Sequence, residues 1–370
     1  MNIVIIYGGM SGEHEVSLLS ASSVVRNVNT SKHSLILIGI TKTGSWFLQD
    51  NKQIEKIRTD KSAILRVEKT DQQVSILPGG KRDRAFICIS SCGTSYITCD
   101  IVFPVLHGTF GEDGTVQGLF EMAQVPYVGC GVMSSSLTMD KEKTKQVWLS
   151  ENLPAVPFVC IKKGDILNDT DKNKLLQNAE QQFGYPLFVK PCCAGSSVGA
   201  SKAGDRASLE KSLTEAFLWD EKILIEPFIS AREIECSVTG NYEPKAYVPG
   251  EVIPRHEFYD YEAKYIDPEG AALLIPAKLT KEETVKIKDI AIKAYKAVDA
   301  SGLSRIDFFL DKKTGEMLLN EINTIPGFTS ISMFSKMCEA EGLTYPELIE
   351  HLFALALDRF KNRNMLKTSR

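Results

Sequence analysis

The N-terminal part of the chain alternates between short apolar runs and a helical pattern. The runs NIVIIY, SLILIGIT and CDIVFPVL have the length and β-branched content of buried strands, and a helical pattern runs from about Glu15 to Val28. Strands that alternate with helices predict a parallel sheet covered on both faces. Between Gln49 and Cys99 the sequence is polar and irregular, so we expect it to elaborate this first unit.

The pattern changes near residue 150. A helix is predicted from about Lys141 to Asn152, and the proline-rich stretch NLPAVPF after it predicts a domain boundary. Beyond it, YPLFVK and KILIEPFI read as strands, with a helix at SLEKSLTEAFLW between them. The segment TYPELIEHLFALALDRF predicts a final helix, with Thr344 as N-cap and Glu347 closing a capping box. We expect that last helix to be structural.

One predicted hairpin, RIDFFLDKKTGEMLLNEINTIPGF, carries charged groups where a strand usually has apolar ones. If Asp311 faces Met317 across the turn, the same register sets Asp307 opposite Glu321, and Asn323 shares a face with Glu321. Two facing carboxylates need a positive partner, and hard oxygen ligands suit Mg²⁺ or Mn²⁺ better than zinc. A solvated hairpin edge with scattered charges is the alternative for any one of these residues alone.

Composition limits the classes of function. With 370 residues, 43% hydrophobic and 24% charged, the chain has the make-up of a globular protein of two or three domains. The net charge of -4 gives no reason to expect nucleic acid or an anionic membrane as partner. No run approaches transmembrane length, and the start MNIVIIYGG lacks an export signal, so a cytoplasmic location is expected. The nine cysteines form no C-x-x-C pair and read as reduced thiols.

Two loops have the composition of ligand-binding segments. PCCAGSSVGASK follows the strand that ends in Lys190, and its small residues allow backbone N–H groups to approach a phosphate. An ordinary flexible turn is the alternative. PRHEFYDYEAKYID reads either as a lid, with Lys264 reaching a phosphate and Tyr265 a substrate, or as a surface loop. His107, in the turn HGTFGEDG, is either a ligand contact or a local hydrogen-bonding residue.

Together these segments match a known family. The matching motifs are GGMSGEHEVS, LHGTFGEDGTVQG, MDKEKTK, KPCCAGSSVG, YDYEAKY, RIDFF and NEINTIPGFTSIS. In this order they resemble the D-alanine–D-alanine ligases of the ATP-grasp superfamily, over nearly the whole chain. The resemblance implies a mixed α/β, three-domain ATP-grasp fold. Its expected parts are a Rossmann-like parallel-sheet domain at 1–140, a central domain at 141–235 and a C-terminal domain with lid and metal hairpin at 236–370.

The resemblance also implies a reaction. ATP phosphorylates the carboxylate of one D-alanine, and the amine of a second attacks the acyl phosphate to give the dipeptide, ADP and phosphate, for peptidoglycan precursors. By similarity, Asp307, Glu321 and Asn323 hold two Mg²⁺ or Mn²⁺ ions that bridge the ATP phosphates. A homodimer is expected on the same grounds.

Site residues carry over by motif. The expected ATP-binding residues are Lys141, Lys190, Ser197, Glu226, Phe228, Ile229, Glu233 and Lys264. For the amino-acid substrates, Glu15 is expected to hold the ammonium group of the first D-alanine, with further contacts from His107 and Ser332. Ser196 and Tyr265 would orient the substrates and the lid. Arg305 and the backbone N–H of Gly327 would hold the oxyanion of the tetrahedral intermediate.

Other functions remain as alternatives. An ATP-grasp ligase with another acceptor, such as D-lactate, is the nearest, although the intact YDYEAKY favours the dipeptide. A non-catalytic nucleotide-binding protein would need a missing lysine or metal ligand, and none is missing. A dinucleotide oxidoreductase is disfavoured because GCGVMSS lacks the third glycine of that fingerprint.

Overall fold

Residues 1–254, 271–329 and 331–367 are described by a computed structural model, and they form three β-sheets with helices against them. The helices are α1 His14–Asn27, α2 Lys52–Thr59, α3 Lys81–Arg84, α4 Thr115–Ala123, α5 Val132–Met139, α6 Lys141–Ser150, α7 Asp169–Phe183, α8 Arg206–Ala216, α9 Lys281–Ala297, α10 Met333–Glu339 and α11 Tyr345–Asn364. The mixed α/β class predicted from the sequence is confirmed.

The first sheet has a parallel centre and an antiparallel extension. Its strands are β1 Asn2–Gly8, β2 Ser34–Ile40, β3 Trp46–Leu48, β4 Gln73–Ile76, β5 Phe86–Ser90, β6 Gly93–Ile97 and β7 Ile101–Val105. The order is β6-β5-β4-β3-β2-β1-β7, and β1 pairs in parallel with β2 and β7. The predicted parallel sheet is therefore its centre, while the segment between β2 and β7 adds the antiparallel strands.

The second sheet carries the predicted phosphate-binding loop, residues 192–200, which is called the phosphate loop below. Its strands are β8 Val159–Lys162, β9 Leu187–Pro191, β10 Ser201–Ala203 and β11 Lys222–Pro227, in the order β10-β9-β11-β8. Side chains of α7 and α8, among them Leu176 and Leu213, pack with the sheet in one buried cluster. The glycine-serine segment connects β9 to β10, so both of its ends are fixed in this sheet.

The third sheet carries the hairpin. Its strands are β12 Ala231–Gly240, β13 Lys245–Ala246, β14 Gly250–Pro254, β15 Ala271–Leu274, β16 Gly302–Asp311 and β17 Met317–Asn323. The main path is β15-β14-β12-β16-β17, with β13 paired to β12. Strands β16 and β17 are the predicted hairpin.

The end of the chain packs against the first sheet. Helix α11 begins after Thr344, whose side chain forms the predicted capping box with Glu347. Phe353 of α11 and Phe328 each make an edge-on contact with Phe103 of β7, with ring centroids 6.0 Å and 5.7 Å apart. The first and third sheets therefore share a core, and the segment after β17 runs between them.

Candidate active site

The predicted pairing of carboxylates on the hairpin is present, although its register differs from the expected one. Leu310, rather than Asp311, faces Met317, and a β-bulge then sets Asp307 opposite Glu321. The unpaired residue of the bulge is Asn320, whose side-chain oxygen accepts a hydrogen bond from Lys190 Nζ at 3.0 Å. The bulge keeps the two carboxylates together and also directs Asn320 toward the phosphate loop.

Cations compensate both carboxylates. Arg305 binds Asp307 through two hydrogen bonds of 2.7 Å and contacts Glu235 at 3.1 Å. Lys141 Nζ lies 3.4 Å from Glu321 Oε2, and the resulting attraction raises the pKa of Lys141 although burial acts to lower it. Facing carboxylates repel, so these contacts explain how the sheet tolerates them.

The oxygens of the hairpin fit a divalent cation that is shared with a phosphate ligand. Asn323 lies across from Arg305, and its amide nitrogen donates to Asp307 Oδ2 at 3.0 Å. No group of three or more His, Cys, Asp or Glu side chains in the described ranges has the arrangement of a complete metal site. Two carboxylates and an amide are hard ligands that leave most of the coordination shell to other oxygens, which is the arrangement that Mg²⁺ adopts with nucleotides.

A buried ion cluster lies behind the phosphate loop. Glu226 contacts Lys145 at 2.8 Å and Lys190 at 2.9 Å through different oxygens, and it is 2% exposed. Burial acts to raise the pKa of Glu226, but the ammonium groups of Lys145 and Lys190 outweigh burial and lower this pKa below its usual value. The carboxylate of Glu226 therefore stays ionised. Burial lowers the pKa of Lys145 to about 8. The carboxylate of Glu226, predicted to line the adenine pocket, therefore also fixes the amine of Lys190.

Small residues are required in the phosphate loop. Ser196, Ser197 and Gly199 all have positive φ, and a Cβ on Gly199 would lie 2.6 Å from the indole of Trp219. Lys141 Nζ donates to the carbonyl of Ala194 at 2.7 Å, which ties the start of α6 to this loop. The loop is therefore closely packed at Gly199 and tied to α6 at Ala194.

One cavity of about 910 Å³ brings most of the predicted residues together. Its lining includes Lys141, Lys190, Ser196, Ser197, Glu226, Phe228, Ile229, Glu233, Arg305, Asp307 and Glu321. Asn323 lines a small adjoining cavity of about 40 Å³ together with Glu321 and Lys141. Lys264 and Tyr265 lie outside the described residues. The separate predictions for nucleotide and metal thus converge on one space.

The structure corrects the position of Glu15. Its side chain is 56% exposed and pairs with Lys42 on the surface, which holds the pKa of Glu15 below its usual range. Glu13 instead accepts a hydrogen bond from the Ser196 hydroxyl, and its other oxygen lies against Gly108. Helix α1 begins at His14, so residues 13 and 15 point in different directions. The sequence motif GEHEVS offers both glutamates, and only the start of the helix distinguishes them.

The predicted substrate contact of His107 is also corrected. Its Nδ1 bonds the carbonyl of Ile325 at 2.9 Å and its Nε2 bonds the Ser20 hydroxyl at 3.0 Å. The ring is 4% exposed, and burial lowers the pKa of His107. Both nitrogens are used within the protein, so His107 joins α1 to the loop after β17 rather than binding substrate.

The other predicted residues of the amino-acid site lie after β17. Ser332 Oγ accepts a hydrogen bond from the Thr329 N–H at 3.0 Å, and a Cβ on Gly327 would lie 3.2 Å from this oxygen. Glu112, which the sequence analysis did not select, accepts N–H groups from Gly108 at 2.8 Å and Ile325 at 2.9 Å. Burial, with Glu13 nearby, raises the pKa of Glu112 to about 8.

Four residues of this site were missed in the sequence: Glu13, Glu112, Lys145 and Asn320. Lys145 had a usable signal, since it follows Lys141 by four residues and so lies on the same face of the predicted helix. Asn320 had none, because its orientation depends on the bulge. Glu112 stands in the quoted motif LHGTFGEDGTVQG and was not distinguished there from its acidic neighbour.

The fold and the site define an ATP-dependent ligase of the ATP-grasp type: lysines and a glycine-serine loop face a carboxylate hairpin across one cavity. Family models described as D-ala D-ala ligase N-terminus and C-terminus match residues 2–130 and 147–354. The chain therefore belongs to the D-alanine–D-alanine ligase family, and the resemblance seen in its motifs is confirmed.

Individual relatives agree with this assignment. A D-alanine--D-alanine ligase from Treponema denticola is 55% identical, with all of both chains covered. One from Caldicellulosiruptor bescii is 45% identical over 100% of this chain and 99% of its own. Among solved structures, the D-alanine-D-alanine ligase of Coxiella burnetii has a TM-score of 0.83 at 35% identity, covering 99% of this chain and 96% of its own. The VanG D-Ala:D-Ser ligase of Enterococcus faecalis has a TM-score of 0.81 at 34% identity, covering 96% and 99%.

Proposed function

We propose that this chain joins two D-alanine molecules beside its 910 Å³ cavity, through a D-alanyl phosphate formed with the ATP that the cavity would bind. The first carboxylate attacks the γ-phosphorus of ATP and releases ADP. The amine of the second D-alanine then attacks the acyl carbon, phosphate leaves with one former carboxylate oxygen, and the dipeptide remains. The observation that carries this proposal is the convergence of the predicted phosphate-binding cations and the paired carboxylates on one space, whose lining residue Ser196 donates a hydrogen bond to Glu13. The D-lactate alternative is not favoured, because the similar curated proteins are D-alanine ligases.

Lys141 and Lys190 bind the phosphates in this proposal. Each is already held by protein oxygens, Lys141 by Ala194 and Glu321 and Lys190 by Glu226 and Asn320. Side chains that are fixed beforehand lose little entropy when a ligand arrives and need no reorganisation during the reaction.

Asp307, Glu321 and Asn323 would hold Mg²⁺ or Mn²⁺, with two ions per site. When bound, such ions offset the charge that develops on the phosphate oxygens during transfer. Arg305 lies directly beside this set through its two bonds to Asp307. We assign Arg305 to the oxyanion of the tetrahedral intermediate, together with the N–H of Gly327.

For the amino-acid substrates we assign the ammonium group of the first D-alanine to Glu13 in place of Glu15. A carboxylate is the natural partner of an ammonium group that is removed from water, and Glu13 faces Ser196 at the inner side of the loop. Ser332 would bind the second carboxylate. Tyr265 and Lys264 keep their predicted roles at the lid as proposals from the sequence alone.

A cytoplasmic location and a homodimer are part of the same proposal. No helix within residues 1–254, 271–329 and 331–367 combines the length and apolar character needed to cross a membrane. Met122 on α4 and Met133 on α5 are 60% and 57% exposed, and they mark the apolar surface on which we would test dimer formation.

An acceptor panel tests the function. Purified protein with Mg-ATP is given D-alanine alone, or D-alanine with D-lactate or D-serine, and products are identified by mass spectrometry beside ADP release. We expect D-alanyl-D-alanine as the main product, with one ADP per dipeptide. ADP release that requires D-lactate or D-serine would contradict the assignment, and so would a full absence of ADP release with D-alanine.

A further inference from the structure

Side chains of the N-terminal unit, which is defined here as residues 1–123 and ends with α4, hold the loop that follows β17. The N–H of Ile325 donates to Glu112 at 2.9 Å, and its carbonyl accepts from His107 at 2.9 Å. The N–H of Phe328 donates to the hydroxyl of Ser20 on α1 at 3.2 Å. Both ends of the segment 325–328 are therefore fixed by groups on α1 and on the connection between β7 and α4.

These bonds form one chain with a defined direction. A carbonyl only accepts, so His107 carries its proton on Nδ1 and accepts from the Ser20 hydroxyl at Nε2, 3.0 Å away. Ser20 uses its hydroxyl proton for His107 and its lone pair for Phe328. The second oxygen of Glu112 accepts from Gly108 at 2.8 Å. Ser20 and His107 are both buried, which makes the loss of any one partner costly.

Gly327 lies between the two fixed peptide groups. Pro326 has no N–H, and the N–H groups of Ile325 and Phe328 are already bonded. Within the part of the chain that the structure describes, no acceptor meets the N–H of Gly327. The loop thus presents this N–H alone for an external acceptor.

We propose that Ser20, His107 and Glu112 are positioning residues that aim the Gly327 N–H at the developing oxyanion. This inference rests on the proposed function. It assigns to the N-terminal unit a direct influence on the second chemical step, through three contacts that do not touch substrate.

The two steps of the reaction should respond differently. Phosphoryl transfer to the carboxylate creates no tetrahedral carbon. When the amine attacks, formation of the C–N bond pushes an electron pair onto the carbonyl oxygen. The Gly327 N–H and Arg305 stabilise the resulting oxyanion. The electron pair then returns to the carbon, phosphate leaves and the nitrogen loses its proton. A displaced Gly327 therefore slows amine attack, and the acyl phosphate persists and is lost to water. ADP release then exceeds dipeptide formation.

The test compares Ser20→Ala and Glu112→Gln with Ser22→Ala as matched control. Ser22 is a buried hydroxyl on the same helix, bonded to Leu18 and Leu65 rather than to the loop. In Glu112→Gln one acceptor oxygen becomes an NH₂ group that cannot accept an N–H. We measure kcat, the KM for ATP, and the ratio of ADP to dipeptide.

For both test variants we expect kcat to fall about tenfold or more, less than the roughly 100- to 1,000-fold lost when an oxyanion donor is itself removed. The KM for ATP should stay within twofold, and the ADP to dipeptide ratio should rise clearly above one, while Ser22→Ala keeps a ratio of one. A ratio of one in folded Ser20→Ala and Glu112→Gln, with active wild type, overturns this inference alone. Wild type that makes no dipeptide overturns the proposed function as well. Because Ser20→Ala removes only one hydroxyl, it keeps the test decisive if Glu112→Gln fails to fold.

Discussion

Replacing Glu13, just before α1, with glutamine should weaken binding of the first D-alanine, while the same replacement at Glu15 should not. Glu13→Gln keeps the size of a side chain that is closely packed between Ser196 and Gly108, and removes its charge. Glu15→Gln makes the identical change on a side chain that is 56% exposed and paired with a 65% exposed lysine, Lys42.

The expected magnitudes differ because the environments differ. A hydrogen bond to a charged group contributes about 1.5–3 kcal/mol, so Glu13→Gln should raise the KM for the first D-alanine about 10- to 150-fold. An exposed ion pair contributes about 0–1 kcal/mol to stability and nothing to this site, so Glu15→Gln should leave KM within twofold.

Initial rates of ADP release at varied D-alanine and saturating ATP give these constants. Thermal unfolding of each variant checks that the fold is intact. The KM for ATP serves as an internal control and should not move. If Glu15→Gln raises the KM for D-alanine and Glu13→Gln does not, the assignment of the ammonium site to Glu13 is refuted.

Three further predictions concern the cluster, the hairpin and pH. Glu321→Gln should lower turnover by at least about 100-fold while the melting temperature changes little, since it removes a proposed metal ligand whose side chain is 27% exposed; unchanged activity in Mg²⁺ would contradict the metal site. Lys145→Met leaves Glu226 with one cation and should lower unfolding stability by about 3–5 kcal/mol in urea titrations; a change below 1 kcal/mol would show that the pair is dispensable. Burial lowers the pKa of His107, so below about pH 6.5 the unfolded chain binds a proton that the folded chain excludes, and this histidine lowers stability as the pH drops from about 7.5 to about 5.5. The raised pKa of Glu112 acts in the opposite direction over the same range, so the effect of His107 is read from the difference between wild type and His107→Asn. Stability at about pH 5.5 relative to about pH 7.5 should be higher in His107→Asn than in wild type, and an equal change in both proteins would count against a buried neutral imidazole.

The hairpin shows what the sequence determined and what it did not. Its strands, its turn and the pairing of Asp307 with Glu321 follow from alternation and from the turn residues, so they were predictable. The assumed partner of Met317 was wrong by one residue, and a bulge at Asn320 restored the pairing. A bulge depends on tertiary contacts such as the bond from Lys190, which no local pattern encodes.

The remaining differences have similar causes. Glu13 and Glu15 are equivalent in composition, and only the point at which α1 begins decides which of them faces the phosphate loop. His107 and Ser20 are 87 residues apart in the chain, and the loop they hold is more than 200 residues further on. Their contact depends on the packing of α1 beside β7, which a reading of local motifs does not reveal.

The most direct test of the central claim follows the oxygen of the first substrate. D-alanine labelled with ¹⁸O in both carboxylate oxygens is converted with Mg-ATP, and the released phosphate is analysed by mass spectrometry. An acyl phosphate pathway predicts one ¹⁸O in each phosphate released, in step with dipeptide formation. Unlabelled phosphate alongside dipeptide would contradict phosphorylation of the D-alanine carboxylate, and with it the mechanism assigned to this cavity.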